Sequence, residues 1–286
     1  MRVLVTGAAG TLGRPACRQL ARSGHQVRAA DVVGCPDLPA DVQITTDDLR
    51  DPGAAKRLVE GCDAVVHLAT SSASSAEPVQ IYTDNVTMNA HVFHAAARAG
   101  VRRLIYASST QIFSGDRRGN EPYRPSVLPY LPLDEKVPPH PGNAYAASKE
   151  AGEALLRYYA RLTPQMTCTA VRWPLLASDQ KVRWFRDRQP ADGPDPANLL
   201  DVGFSFLAIA DAVDFIETLL EKAPPGYECF FPTSEENRLG WPVWRIAKLF
   251  YPNVPLRKPL DEMEQLVDHS AILNKLGWRP SHSSLS

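Results

Sequence analysis

Apolar runs and helically spaced apolar positions alternate along the first 175 residues of the chain. Uninterrupted or nearly uninterrupted apolar runs predict strands at Met1–Thr6, Gln26–Ala30, Val42–Thr45, Ala64–Leu68, Arg103–Ala107 and Thr167–Arg172. Between them the spacing turns helical at Thr11–Ser23, Asp51–Gly61, Tyr82–Ala99 and Ala144–Leu162, with Gly24 and Gly100 standing where C-cap glycines belong. Strands that are apolar on both sides and separated by helices imply a parallel sheet covered on both faces. The rhythm breaks twice. Residues 119–142 carry seven prolines, and residues 186–198 are rich in proline, aspartate and glycine. Neither stretch can continue a helix or a central strand. Each reads equally well as a lid or as a stiff surface excursion. From about 176 the pattern is irregular, with helices expected at 209–222, 241–250 and 268–276.

Chemistry enters with the glycines at 7, 10 and 13, which follow the first strand directly and precede a helix. Gly7 suits a tight turn, Gly10 a close approach of backbone to a pyrophosphate, and Gly13 close packing of helix on sheet. The helix N-terminus, reached through Thr11 and Leu12, then offers free amides and a positive dipole end to the phosphates. Asp31 closes the second strand, where an acid accepts hydrogen bonds from the adenosine ribose and repels a 2′-phosphate. NAD is therefore favoured over NADP, with Arg14 as the residue that could instead meet a phosphate. The fold class that follows is α/β, a Rossmann-type doubly wound parallel sheet. Residues 1–175 would form the NAD-binding domain and carry the catalytic residues. Residues 176–286 would form a small substrate-binding lobe, some segments of which return to the main domain.

A second motif is Tyr145-Ala-Ala-Ser-Lys149. Residues at i and i+4 project from one face of a helix. An ammonium beside a phenol favours phenolate, pulling a group that normally titrates near ~10 toward neutrality. Such a phenolate can take a hydroxyl proton as hydride leaves the same carbon. Ser108, Ser109 and Thr110 end the fifth strand, and parallel sheets hold their ligands at the carboxyl ends of strands.

Composition narrows the field. Of 286 residues 44% are apolar and 22% charged, and the net charge of −1 gives no basis for nucleic-acid or anionic-membrane binding. The five cysteines form no Cys-x-x-Cys pair, which suits a reducing, cytoplasmic location. The chain runs straight into its first strand, so no signal peptide is expected, and no apolar run reaches the roughly 20 residues that span a bilayer. His25, His91, His94 and His140 lack metal-ligand spacing, and no metal site is expected.

As a set these residues resemble the extended short-chain dehydrogenase/reductase family, its NAD-dependent epimerase/dehydratase group, over nearly the whole chain. The resemblance implies cofactor contacts at Gly7, Gly10, Thr11, Leu12, Gly13, Asp31, Asp48-Leu49, Leu68-Ala69-Thr70, Asn85, Tyr145, Lys149 and Pro174. It makes Ser109, in Ser109-x-x-Ile112-Phe113, the catalytic hydroxyl beside Tyr145 and Lys149. Lys149 would also hold the nicotinamide ribose. Pro132-Leu133-Asp134-Glu135 and Leu276-Gly277-Trp278-Arg279-Pro280 are similar to further family signatures. Family members pair the long helices at 82–99 and 144–162 across a two-fold axis, which implies a homodimer built on a four-helix bundle.

The departures from the family pattern point toward substrate. Dehydratases of the family carry Asp-Glu after the catalytic hydroxyl, and here Thr110 and Gln111 stand in those places, facing the substrate without an acid. The Arg-x-x-Asn of nucleotide-sugar enzymes becomes Arg172-Trp173-Pro174-Leu175. Lys181, Arg183, Arg186 and Arg188 cluster where the lobe begins, and Arg183 and Arg186 would suit a carboxylate or phosphate. The reading is an NAD-dependent sugar oxidoreductase of the uronate-dehydrogenase kind. The alternatives are a nucleotide-sugar epimerase that retains its NAD, and a dinucleotide-sensing module without chemistry.

Overall fold

The computed structural model describes residues 1–71, 77–113, 128–187 and 203–281, and in the helix at 179–187 the side chains of Asp179, Phe185 and Arg186 lie outside the description. Of the two proline-rich stretches, residues 119–127 of the first and 188–198 of the second, Arg188 among them, fall outside it too.

Seven strands form one sheet: β1 (Arg2–Thr6), β2 (Gln26–Asp31), β3 (Gln43–Thr46), β4 (Ala64–His67), β5 (Arg103–Ser109), β6 (Thr167–Trp173) and β9 (Tyr227–Phe230). The order is β3-β2-β1-β4-β5-β6-β9, and every pairing is parallel. A short parallel pair, β7 (Leu175–Ala177) with β8 (Phe206–Ala208), stands apart. The helices are α1 (Gly13–Arg22), α2 (Pro52–Val59), α3 (Pro78–Arg98), α4 (Ala144–Leu162), α5 (Asp179–Asp187), α6 (Ile209–Lys222), α7 (Val243–Phe250) and α8 (Ser270–Leu276).

Strand alternation divides the core. Val3 and Val5 face α1, α6 and α8, where Leu20, Phe215, Phe230 and Trp278 pack; Leu4 faces the other way, toward α2, α3 and α4, with Val65, Phe93, Tyr106 and Leu156. Successive strand residues point to opposite faces, so one continuous apolar run serves both layers. A third cluster joins Ile112 and Phe113 to Leu131, Leu133, Phe204, Phe231, Ile246 and Leu266 and forms the core of the lobe.

The six strands and four helices predicted up to 175 are present with small shifts in their ends. The largest shift is α3, which starts at Pro78 instead of Tyr82, because a proline at the first helical position loses no hydrogen bond. Beyond 175 the reading needs correction. It expected irregular chain with three helices, whereas β7, α5, β8 and β9 are also present. β7 and β8 are three-residue strands, too short to show a period, and β9 follows a chain reversal at Gly226 (φ 87) to take the sheet edge beside β6.

The chain order reverses between β1 and β4. The chain leaves the carboxyl ends of these two paired strands toward opposite faces of the sheet, α1 on one and α3 on the other, which places a crevice beside the glycine loop.

Candidate active site

The glycine loop is built to lie flat. Gly7 has φ 69, and a Cβ on it would stand 2.6 Å from the Ala69 nitrogen; one on Gly13 would stand 2.1 Å from the Gly7 carbonyl oxygen. Both clashes are with backbone, so neither position can carry a side chain without shifting the loop or the end of β4. The loop is closed by Gly10 N–H donating to the Gly7 carbonyl at 3.0 Å. Asp31, at the end of β2, accepts from Ala9 N–H at 2.9 Å and from Val33 N–H at 3.3 Å, so the acid that would meet a ribose also shapes the loop beneath it. A cradle of this form fits a dinucleotide pyrophosphate: Gly10, Thr11 and Leu12 lead into the helix N-terminus, and Leu68, Ala69 and Thr70 form the opposite wall.

Two buried polar chains hold that wall. Ala69 N–H donates to Thr6 Oγ1 at 3.3 Å, Thr6 Oγ1 meets His67 Nδ1 at 2.7 Å, His67 Nε2 meets Asn89 Oδ1 at 3.1 Å, and Asn89 Nδ2 donates to the Tyr106 hydroxyl at 3.2 Å. Burial, with the Lys149 ammonium adding to it, pushes His67 down to about 3, so the ring is neutral. A neutral ring facing an amide oxygen carries its proton on Nε2, which leaves Nδ1 to accept from Thr6. In the second chain, Asn85 Oδ1 accepts from Thr70 Oγ1 and Ser71 N–H (3.2 and 2.7 Å), and Asn85 Nδ2 donates to Ser71 O and Ser148 Oγ (2.9 and 3.0 Å). Ser148 in turn donates to the Tyr145 carbonyl at 2.7 Å. Asn85 is therefore turned onto the protein, and it ties the cofactor wall to the helix that carries Tyr145 and Lys149.

Helix α4 begins at Ala144, where Asn143 caps it by accepting from Ala146 N–H at 2.8 Å. Tyr145 is half-buried in the first turn, and Lys149 lies one turn further in, 2% exposed. Lys149 Nζ donates to the Ala107 carbonyl of β5 at 2.7 Å and lies 5.4 Å from the centre of the Tyr145 ring. Burial pushes Lys149 down to about 7. Ser109, the last residue of β5, accepts from Gln111 N–H at 3.2 Å, which leaves its own proton to donate. The 3₁₀ turn Thr110–Phe113 follows at once.

Ser109, Tyr145 and Lys149 line one cleft of about 460 Å³. Leu12, Leu68, Thr70, Pro174, Thr110 and Gln111 line it too. Thr110 donates to the Trp173 carbonyl at 3.3 Å, and Gln111 Oε1 accepts from Asn143 Nδ2 at 3.4 Å. Asp48, Leu49 and Arg183, singled out from the sequence, are not among the residues lining this cleft. Leu49 is buried in the core under α2 and α3, and the Asp48 carboxylate holds Arg50 at 2.6 Å. Arg183 is exposed on α5 and does not line the cleft, and the side chain of Arg186 is outside those described. Asn143, Leu176 and Arg238 line the cleft and escaped the sequence reading, and Arg238 is the one with a charge. Arg238, 5% exposed, reaches the wall from the lobe, with its own N–H on the Phe204 carbonyl at 2.9 Å. No local motif marks it, because its place depends on how the lobe chain folds back.

A pyrophosphate cradle at the strand crossover, joined to a hydroxyl, a phenol and an amine in one cleft, defines an oxidoreductase that works with a dinucleotide. Residues 3–190 match the model of the NAD dependent epimerase/dehydratase family. The chain belongs to that family, and NAD is its coenzyme. It is 33% identical over 252 residues to a uronate dehydrogenase of Pseudomonas syringae pv. tomato, an alignment covering 87% of this chain and 80% of the relative. The fold is shared with a UDP-galactose 4-epimerase crystal structure (TM-score 0.67, 23% identity, 99% and 95% of the two chains). A short-chain dehydrogenase/reductase superfamily protein of Agrobacterium tumefaciens, solved with bound NAD, aligns with TM-score 0.69 at 22% identity over 98% and 93%.

Proposed function

We propose that the chain oxidises a hydroxyl-bearing carbon of an acidic or neutral sugar, with uronates as the first candidates. The observation that carries this is the convergence of Ser109, Tyr145 and Lys149 on one cleft beside the glycine cradle. NAD, when bound, supplies the acceptor for hydride. Tyr145, acting as phenolate, takes the substrate hydroxyl proton and becomes the phenol. Lys149 supplies positive charge next to that phenol, and Ser109, fixed by Gln111 N–H, donates to the substrate oxygen and holds it against Tyr145. Gln111 and Thr110 add polar contacts, and among the described residues lining the cleft there is no carboxylic acid to drive loss of water from a sugar. Arg238 gives a sugar carboxylate a buried cation on the lobe side, ahead of Arg183 and Arg186. The relative named uronate dehydrogenase supports the same substrate class.

The test is a panel of free uronates, aldoses and nucleotide sugars with NAD, followed by absorbance of the reduced coenzyme. NADH accumulating with a uronate or aldose supports the reading. Conversion of a nucleotide sugar with no net NADH would replace it by epimerisation. Stabilisation by NAD with no turnover on any sugar would replace it by a sensing role.

The proposed division of labour keeps residues 1–175 as the NAD-binding domain and 176–286 as the substrate lobe, with α6, β9 and α8 returning to the main layers. The five cysteines, all free, suit a reducing, cytoplasmic setting. The proposed assembly is a homodimer through α3 and α4, where Val79 (74%), Tyr82 (39%), Tyr158 (47%) and Leu162 (59%) are exposed apolar positions. Light scattering at micromolar concentration is expected to give twice the chain mass, and a monomer mass ends the proposal.

A further inference from the structure

Two arginines stand beside the position that distinguishes NAD from NADP, and one acid holds both. Arg14, the first residue after Gly13, sends Nε to the Ala9 carbonyl at 3.0 Å, while the amide of the same Ala9 donates to Asp31 at 2.9 Å. The guanidinium of Arg14 and the carboxylate of Asp31 are thus fixed to opposite ends of one residue. The outer nitrogen of Arg14 pairs with Asp37 at 3.2 Å. Arg18, one helical turn further along α1, pairs with the same carboxylate at 2.6 Å and with the Asp37 carbonyl at 3.0 Å. Asp37 lies on the loop after β2, six residues beyond Asp31.

NADP differs from NAD by a phosphate on the adenosine ribose, whose hydroxyls are met by the acid that ends β2. A dianionic phosphate next to Asp31 needs cations, and arginine is suited to it through paired N–H donors. We propose that Asp37 determines coenzyme selectivity by holding Arg14 and Arg18 in ion pairs and so denying them to a 2′-phosphate. This rests on NAD occupying the cradle, and it adds to the repulsion from Asp31 a second, separable device. Asp31, Asp37, Arg14 and Arg18 sum to zero charge; without Asp37 the sum is +1, with both guanidinium groups released. The four side chains lie at the surface, with Arg14, Arg18 and Asp37 about 40% exposed, so a change at 37 leaves the core untouched.

The experiment is calorimetric binding of NAD and NADP, and of 5′-AMP and 2′,5′-ADP as fragments, to the wild-type protein and to Asp37→Asn. Binding needs no substrate, so the result stands whatever sugar is or is not turned over. Asp37→Asn is expected to tighten NADP and 2′,5′-ADP on the order of tenfold, a change of about 1.4 kcal/mol, with NAD and 5′-AMP little changed. Adding Arg14→Gln to Asp37→Asn is expected to return NADP to the wild-type affinity. An unchanged NADP-to-NAD ratio in Asp37→Asn, or an equal gain for both coenzymes, overturns the proposal. So does a gain that survives loss of Arg14 together with Arg18→Gln.

Discussion

Replacing Tyr145 by phenylalanine is expected to lower kcat by about 10²–10⁴-fold, the range a positioned acid–base group contributes, with NAD binding close to that of the wild type. The substitution removes one oxygen and keeps the ring. The ring's packing and its contact with the Lys149 ammonium, 5.4 Å from its centre, stay in place. The helix also starts as before, because its cap is the Asn143 side chain and not Tyr145. The cradle lies at the other end of the site and is made of backbone. Calorimetry of NAD binding and steady-state rates on the substrate found by the panel are the two measurements. A variant that keeps most of its turnover would show that another group takes the proton. Lys149 adds a pH signature. Its folded value of about 7 lies below the ordinary 10.5, so the unfolded chain binds the extra proton between the two. The burial penalty is complete below about pH 7 and fades as pH rises toward 10.5. Relative to Lys149→Met, the wild-type apoprotein is expected to gain thermal stability through that window, and parallel stability curves would contradict the buried charge.

How far the chain could be read before folding depends on the range of the interaction. Gly7 and Gly13 were legible because their reason is local: a turn and a helix start that follow directly on an apolar strand. Tyr145 and Lys149 were legible because four residues on a helix is one turn. The end of an apolar run marked Ser108, Ser109 and Thr110 together, and the resemblance singled out Ser109. Arg238 was illegible because its place in the cleft depends on long-range return of the lobe to the sheet. Asn85 was read as a cofactor contact, yet its amide is engaged by Ser71 and Ser148, partners 14 and 63 residues away. Asp31 was read as a ribose acceptor, and nothing local shows that it also accepts from Ala9. β9 was missed because four residues at a sheet edge, three of them partly exposed, show neither a continuous apolar run nor clean alternation. The parallel sheet and its crossover were visible; the polar ties that fix the crossover's walls were not.

A separate polar tie centres on Glu153, and its loss is expected to be the most destabilising single polar change in the sheet–helix interface. Glu153 lies one turn beyond Lys149 on α4 and is fully buried. Its carboxylate accepts Arg172 Nε and Nη2 at 3.0 Å each and the Ser108 hydroxyl at 2.7 Å. Arg172 also sends Nη1 to the carbonyls of Glu135 and Val137 at 3.0 and 2.8 Å, in the segment that enters the lobe core. One ion pair thus joins α4, the ends of β5 and β6, and the lobe. Glu153→Leu leaves the Arg172 guanidinium buried without its carboxylate, a change that costs about 3–5 kcal/mol. Replacing both, Glu153→Leu with Arg172→Met, removes the stranded charge, so the double variant is expected to lose less than the sum of the two singles. Urea unfolding at neutral pH measures each corner of that cycle. Activity separates packing from placement: Ser108 is bonded to Glu153 and precedes Ser109, so a folded double variant is expected to bind NAD while losing kcat. A cost near that of an exposed pair, below about 1 kcal/mol, would mean that hydrophobic contacts alone set the register of α4 on the sheet.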